Sequence, residues 1–165
     1  MAKKVTLISI LTILLVTLGS IFLYNSATKP LEDGKNEAIK RAKEEVNLTK
    51  VTNIDWFHYT DSYYVIEGVT ADNKEIYVWV PEDKNGTVHV ENKKAGMSKD
   101  KVKAFVFNEL NDISRDKRPK EIMKIKLGMI EEAPAYEITY RDQENRYSIL
   151  YIDYFNGDWY RVYNL

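Results

Sequence analysis

The stretch Val5–Tyr24, VTLISILTILLVTLGSIFLY, runs for twenty residues without a charge. At about 1.5 Å per residue, a helix of that length spans roughly 30 Å, the thickness of a bilayer's hydrocarbon core. No later segment approaches it in apolar length, and everything after Asn25 is polar, charged and regularly patterned. The chain therefore reads as a membrane tether carrying a folded load. A cleaved signal peptide is the rival reading. Its apolar core would hold about 7–15 residues, with small residues before the cut. Here the run is longer, and a cut after Ala27 would have Asn25 two positions before it. The absence of cysteine removes a lipid-modified cysteine after cleavage. We expect an uncleaved anchor, with residues 1–28 as tail and span. Lys3 and Lys4 favour a cytoplasmic N-terminus and extracellular C-terminal domains. Lys29 and Lys35 on the other flank, interrupted by Glu32 and Asp33, weaken that asymmetry.

Beyond the anchor there is room for one ordinary domain or two small ones. Without Lys3 and Lys4 the 24 bases fall to 22 against 25 acids, with both signs mixed throughout. That balance argues against a nucleic-acid partner, which calls for a clustered basic patch. Zero cysteines also remove disulfides, zinc–thiolate sites and thiol nucleophiles. The fold must then rest on core packing, and 12 tyrosines and 3 tryptophans point to aromatic-rich sheets.

Pro30–Val46 reads as a helix, with Ala38, Ile39, Ala42 and Val46 at helical spacing and Gly34 delaying its regular start. Strand-like runs follow at Val51–Tyr59, Tyr63–Thr70, Glu75–Val80 and Val88–Glu91. The short polar breaks between them suit antiparallel hairpins. Ser98 is a good N-cap for a second helix reaching about Asn111. Strands return at Glu121–Met129, Ala135–Arg141, Tyr147–Asp153 and Asp158–Tyr163. Helix-then-strands thus occurs twice. Tyr64-Val65-Ile66 matches Tyr136-Glu137-Ile138, and Val78-Trp79-Val80 matches Leu150-Tyr151-Ile152, both at an offset of 72 residues. A two-copy period of that length is a domain duplication. The expected fold class is α+β, with a first domain over 30–92 and a second over 96–165, each a helix on an antiparallel sheet.

Strand alternation assigns faces. Ile76, Val78 and Val80 point to the first helix, and Leu150 and Ile152 to the second. Tyr77, Trp79, Ile149 and Tyr151 point the other way. These four are the candidate partner-binding residues, because exposed aromatic patches mark interfaces. The alternative is that the two halves pack against each other there.

Chemistry is sparse. Ser98-Lys99-Asp100-Lys101 matches S-x-x-K, but no S-D-N or K-T-G accompanies it, and Ser98 is better read as a cap. His58 and His89 are the only histidines, far apart and without clustered carboxylates, so no metal site is expected. Asp72, Asp142 and Glu144 fall in hairpin turns without calcium-loop spacing. Asn47-Leu48-Thr49 and Asn85-Gly86-Thr87 fit the short glycosylation pattern. No cofactor, catalytic residue or small-molecule substrate is indicated, and we expect a non-enzyme.

The anchor, YYVIEGVTADNKEIYVWVP (residues 63–81), the Ser-capped helix and YEITYRDQENRYSILYIDYFNG (residues 136–157) resemble the YpmB/TseB proteins of Gram-positive bacteria. The similarity covers essentially the whole chain, and the second half also resembles a PepSY-type domain. The resemblance implies two cystatin-like domains outside the cell behind one anchor. It further implies a regulator of cell-wall elongation that contacts a class B penicillin-binding transpeptidase. It transfers no catalytic or binding residue. Tyr154-Phe155 departs from the small residues common at PepSY-type ends, which implies an altered local surface. The alternative function is a PepSY-type inhibitor or chaperone of a secreted peptidase.

Overall fold

The structure, a computed structural model, describes residues 2–110 and 113–164. It divides into two units, Met1–Glu37 and Ala38–Leu165.

The first unit is helical. It is part of α1 (Ala2–Glu45), which continues through Pro30 without a break. This corrects the expectation of a separate helix beginning near Pro30 and delayed by Gly34. Proline inside a helix forfeits one backbone hydrogen bond and crowds the preceding turn; here the helical geometry persists regardless. Among the described residues one helix is long and apolar enough to cross a membrane, with a window of mean hydropathy 1.8 and none of that window buried. Two hydroxyls within its apolar stretch are satisfied by its own backbone. Thr17 Oγ1 donates to the Ile13 carbonyl at 2.8 Å, and Ser20 Oγ to the Val16 carbonyl at 2.8 Å. That is what a hydrocarbon environment demands of polar groups.

The second unit contains two four-stranded antiparallel sheets. The first runs in order β1 (Leu48–His58), β2 (Ser62–Thr70), β3 (Glu75–Pro81), β4 (His89–Asn92). The second runs β5 (Pro119–Ile130), β6 (Ala133–Asp142), β7 (Tyr147–Asp153), β8 (Trp159–Asn164). Between them lies α2 (Lys99–Asn108). Ser98 caps it, its hydroxyl accepting from the Lys101 N–H at 3.3 Å. The expected end of this helix near Asn111 lies outside the described residues.

The pairing register repeats. Ile66 faces Val78 and, 72 residues on, Ile138 faces Leu150. Ile76 faces Asn92, and Ser148 faces Asn164. The first strand of each sheet is irregular at matching places, between Leu48/Lys50 and Val51/Asn53 in β1 and between Pro119/Glu121 and Ile122/Lys124 in β5. The turns agree as well. Asn73 and Asn145 both adopt positive φ, at 60° and 67°. The Lys74 N–H donates to Thr70 Oγ1, and the Arg146 N–H to Asp142 Oδ1.

Two cores hold this unit. In one, Ala38 and Ala42 of α1 pack on Tyr64, Ile66, Ile76, Val78 and Val80. The small alanines let the helix approach the sheet closely. Arg41 fastens the adjoining loop, donating from Nη1 to the Pro81 carbonyl at 2.6 Å and from Nη2 to the Gly86 carbonyl at 2.9 Å. The other core joins the far face of the first sheet, through Phe57, Val65, Tyr77 and Trp79, to α2 and the second sheet.

Candidate functional site

Alternation places Tyr77 and Trp79 on the face opposite α1, but that face is not a surface. Trp79 is wholly buried and Tyr77 is 8% exposed. The Trp79 indole N–H donates to the Gly128 carbonyl at 2.7 Å. Gly128 has no room for a side chain, because a Cβ there would collide with the Phe57 ring. Tyr151 is buried as well, its hydroxyl donating to Glu137 Oε2 at 2.9 Å and its ring edge-on to Tyr59. Ile149 is partly buried against the same core. The four candidate residues are therefore corrected from an exposed patch to packing positions. The reason is that the two halves share one core, which hides what each sheet alone would expose.

Tyr154 is the residue that sequence reasoning misplaced most. It was read as altering a surface; instead it is fully buried where β7 leads into its turn. Its ring lies edge-on to Tyr77 and Trp79 and tilted against Tyr136. Its hydroxyl donates to the Asn92 and Lys93 carbonyls at 3.3 and 3.2 Å. Burial pushes this phenol up to about 12. Asp142 was read as an ordinary turn acid, yet it is also buried. Its carboxylate accepts from Arg146 Nε at 2.7 Å, from the backbone N–H groups of Glu144 and Arg146, and from Asn164 Nδ2 at 3.1 Å. Burial alone would raise its pKa, but the Arg146 guanidinium and the two N–H donors outweigh it and hold the group below its ordinary value.

Of the exposed aromatics in the second unit, Trp56, Phe107 and Tyr147 stand apart at 40–44% exposed, and four others follow one another closely in sequence. Phe155, Trp159, Tyr160 and Tyr163 are each 39–43% exposed, along β8 and the turn that leads to it. β8 is an edge strand of the second sheet. Sequence offered one signal for this, a run of aromatics after the Asn156-Gly157 turn, and strand alternation does not rank it above Tyr77 and Trp79. Beside β8 opens a cavity of about 210 Å³ lined by Tyr59, Ile130, Glu131, Tyr151, Tyr160 and Arg161. The Tyr160 hydroxyl donates to Asp153 Oδ2 at 2.8 Å. Burial and that carboxylate push it up to about 12. The Tyr59 and Tyr163 hydroxyls share a hydrogen bond at 3.2 Å. That bond raises the Tyr59 pKa and, with Arg161, lowers that of Tyr163.

The histidines are occupied structurally. His58 lies parallel to Trp56 and bonds Ser62 Oγ at 3.0 Å, while His89 bonds Glu91 Oε1 at 3.1 Å. Among the described residues no group of three or more His, Asp or Glu side chains is placed to hold a metal ion.

A family model described as "Cell wall elongation regulator TseB-like domain" matches residues 37–81. That segment runs from the last turns of α1 through β3. Over 160 residues the chain is 31% identical to "Probable cell wall elongation regulator TseB" of Bacillus subtilis (strain 168), covering 95% of each protein. Among solved structures, the YpmB protein from Bacillus subtilis matches with a TM-score of 0.70 at 27% identity, over 79% of this chain and 96% of that one. With that extent of identity, and with the fold shared with YpmB, the chain belongs to the TseB-like family of cell wall elongation regulators.

Proposed function

We propose that this protein is a single-pass, extracytoplasmic, non-enzymatic regulator of cell-wall elongation that acts by binding a class B penicillin-binding transpeptidase. The observation that carries the reading is identity to a named elongation regulator along nearly the whole chain, apolar helix included. Lys3 and Lys4 at the short flank support a cytoplasmic N-terminus. The repeated register supports reading residues 30–92 and 96–165 as duplicated cystatin-like units, the second PepSY-like. Sharing one membrane raises the effective concentration of regulator and synthase, so a modest contact area suffices. In this reading the contact lies on the β8 aromatics, Trp159 and Tyr163 foremost, because Tyr77, Trp79 and Tyr151 are buried. Tyrosine and tryptophan are the residue types that dominate binding energy at such contacts.

In-membrane photocrosslinking tests this. A photoreactive residue replaces Trp159 in the full-length protein in its host, with a second variant labelled at Trp79 as the buried control. Capture of a penicillin-binding protein from position 159 and not from 79 is the expected result. Capture of a secreted peptidase, or of no partner from position 159, overturns the reading.

A further inference from the structure

The cavity beside β8 has an unusual division of labour. Its three tyrosines have their hydroxyls committed elsewhere, Tyr151 to Glu137, Tyr160 to Asp153 and Tyr59 to Tyr163. What their rings have left to offer a ligand is carbon. Ile130, 5% exposed, adds an aliphatic wall. The charged members are Glu131 and Arg161. They approach to 3.8 Å with side chains 74% and 57% exposed, the weak and screened kind of ion pair. Each therefore keeps most of its capacity, the carboxylate as acceptor and the guanidinium as a fork of donors.

An apolar floor beneath one acid and one base selects by charge. A lone cation drawn to Glu131 meets Arg161, and a lone anion drawn to Arg161 meets Glu131. A ligand carrying both charges on neighbouring atoms meets neither conflict. An ammonium at Glu131 beside a carboxylate at Arg161 closes a square of alternating charge, in which the Glu131–Arg161 contact is already one side. Glu131 sits at the tip of a tight hairpin at the cavity's edge: it and Glu132 form a two-residue turn between Ile130 and Ala133, both at positive φ, 48° and 65°.

We infer that this cavity binds a zwitterionic α-amino acid, with free amino and carboxyl groups at Glu131 and Arg161 and an apolar or aromatic side chain over the tyrosine rings. The site is independent of the transpeptidase reading, because its ligand is a small molecule and its test uses no partner.

The test is calorimetric titration of the full chain in detergent micelles with three probes, phenylalanine, N-acetylphenylalanine and phenylalanine amide. The first carries both charges, the second only the carboxylate, the third only the ammonium. Saturable binding of phenylalanine, at least about tenfold tighter than either blocked analogue, is expected. Arg161→Gln weakens phenylalanine by about tenfold and leaves the amide unchanged or tighter; Glu131→Gln does the same with the acetyl analogue. The comparison among probes needs no variant, so it stands even if a substitution harms folding. The inference is overturned if phenylalanine shows no saturable binding up to about 10 mM. It is equally overturned if the three probes bind within about threefold of one another, which would leave only an apolar cavity.

Discussion

The Trp79 indole donates a 2.7 Å hydrogen bond to the carbonyl of Gly128, across the core that joins the first sheet to the second. The two residues lie 49 positions apart. The bond ties the middle of the molecule together and turns what looked like a recognition ring into a structural one. Trp79→Ala should cost about 3–5 kcal/mol through cavity formation. Trp79→Phe should cost about 1–3 kcal/mol, because it keeps an aromatic ring but strands a buried carbonyl. Urea titration followed by circular dichroism reads both. An alanine variant as stable as the parent would show that this core is not where the folding energy lies.

Gly128→Ala probes the same seam from the other side. The added methyl meets three carbons of the Phe57 ring, which is itself 1% exposed and has nowhere to move. Overpacking of this kind costs about 1–3 kcal/mol. The methyl and the ring compete for one space, so Phe57→Leu should partly restore the Gly128→Ala variant. A double-mutant cycle on melting temperature reveals the coupling.

Tyr154 separates ring from hydroxyl. Tyr154→Phe removes the donor to the Asn92 and Lys93 carbonyls and should cost about 1 kcal/mol. Tyr154→Ala empties the junction of Tyr77, Trp79 and Tyr136 and should cost about 3–5 kcal/mol. Equal losses for the two would contradict the packing role.

Asp142 supplies an acid-sensitive element. Its pKa is depressed in the folded protein, so it stabilises the fold above the pH at which an unfolded aspartate ionises, about 4. That contribution is lost as pH falls below that value toward the folded one. Melting temperature should therefore decline from about pH 5 downward. Asp142→Asn cannot ionise; it should melt lower at neutral pH and decline less steeply in acid. Parallel profiles for parent and variant would assign the acid sensitivity to other groups.

The Glu131-Glu132 turn is built from residues that disfavour its geometry. Left-handed conformations cost non-glycine residues about 1–2 kcal/mol each. Asn-Gly suits the two central positions of a tight hairpin. Replacing Glu131-Glu132 by Asn-Gly should raise stability by about 1 kcal/mol or more, measured by thermal denaturation, while weakening phenylalanine binding in the cavity about tenfold. A fall in stability would mean that the glutamates themselves support the turn.

Much of this architecture is legible in local pattern. Alternation along Glu75–Pro81 and Tyr147–Asp153 identifies strands, and along the first it separates Ile76, Val78 and Val80 from Tyr77 and Trp79 as the two cores do, because a period of two depends only on neighbouring residues. Ser98 announces α2 for the same reason, since a capping hydroxyl acts within three residues. The continuity of α1 through Pro30 was not legible, because Pro30 and Gly34 both argue locally for a break. For Tyr77, Trp79 and Tyr151 local pattern left two readings open, an exposed patch or packing between the halves, and could not choose between them. What covers a face is decided by contacts such as Trp79 to Gly128 and Tyr59 to Tyr163, the latter 104 positions apart. The cavity beside β8 escaped for the same reason: its lining comes from the residue after β1, the β5–β6 turn and three strands of the second sheet, β5, β7 and β8. Asp142 was recognisable as a turn acid but not as a buried one, since Asn164 approaches it from β8.

The common register of the two sheets creates a hazard during synthesis. The β2–β3 and β6–β7 hairpins match in strand offset and turn and so are interchangeable as backbone, and one emerging late could pair with strands of the other half, or of a neighbouring chain. Misassembly between similar units is a characteristic failure of such chains. Within these two hairpins, side chains are what distinguish the halves. Val65 stands where the second sheet has Glu137, Trp79 where it has Tyr151, and Gly128 alone accepts the indole. Divergence between the halves thus acts as a proofreading device, and a variant made more symmetrical would be expected to fold more slowly and to aggregate more.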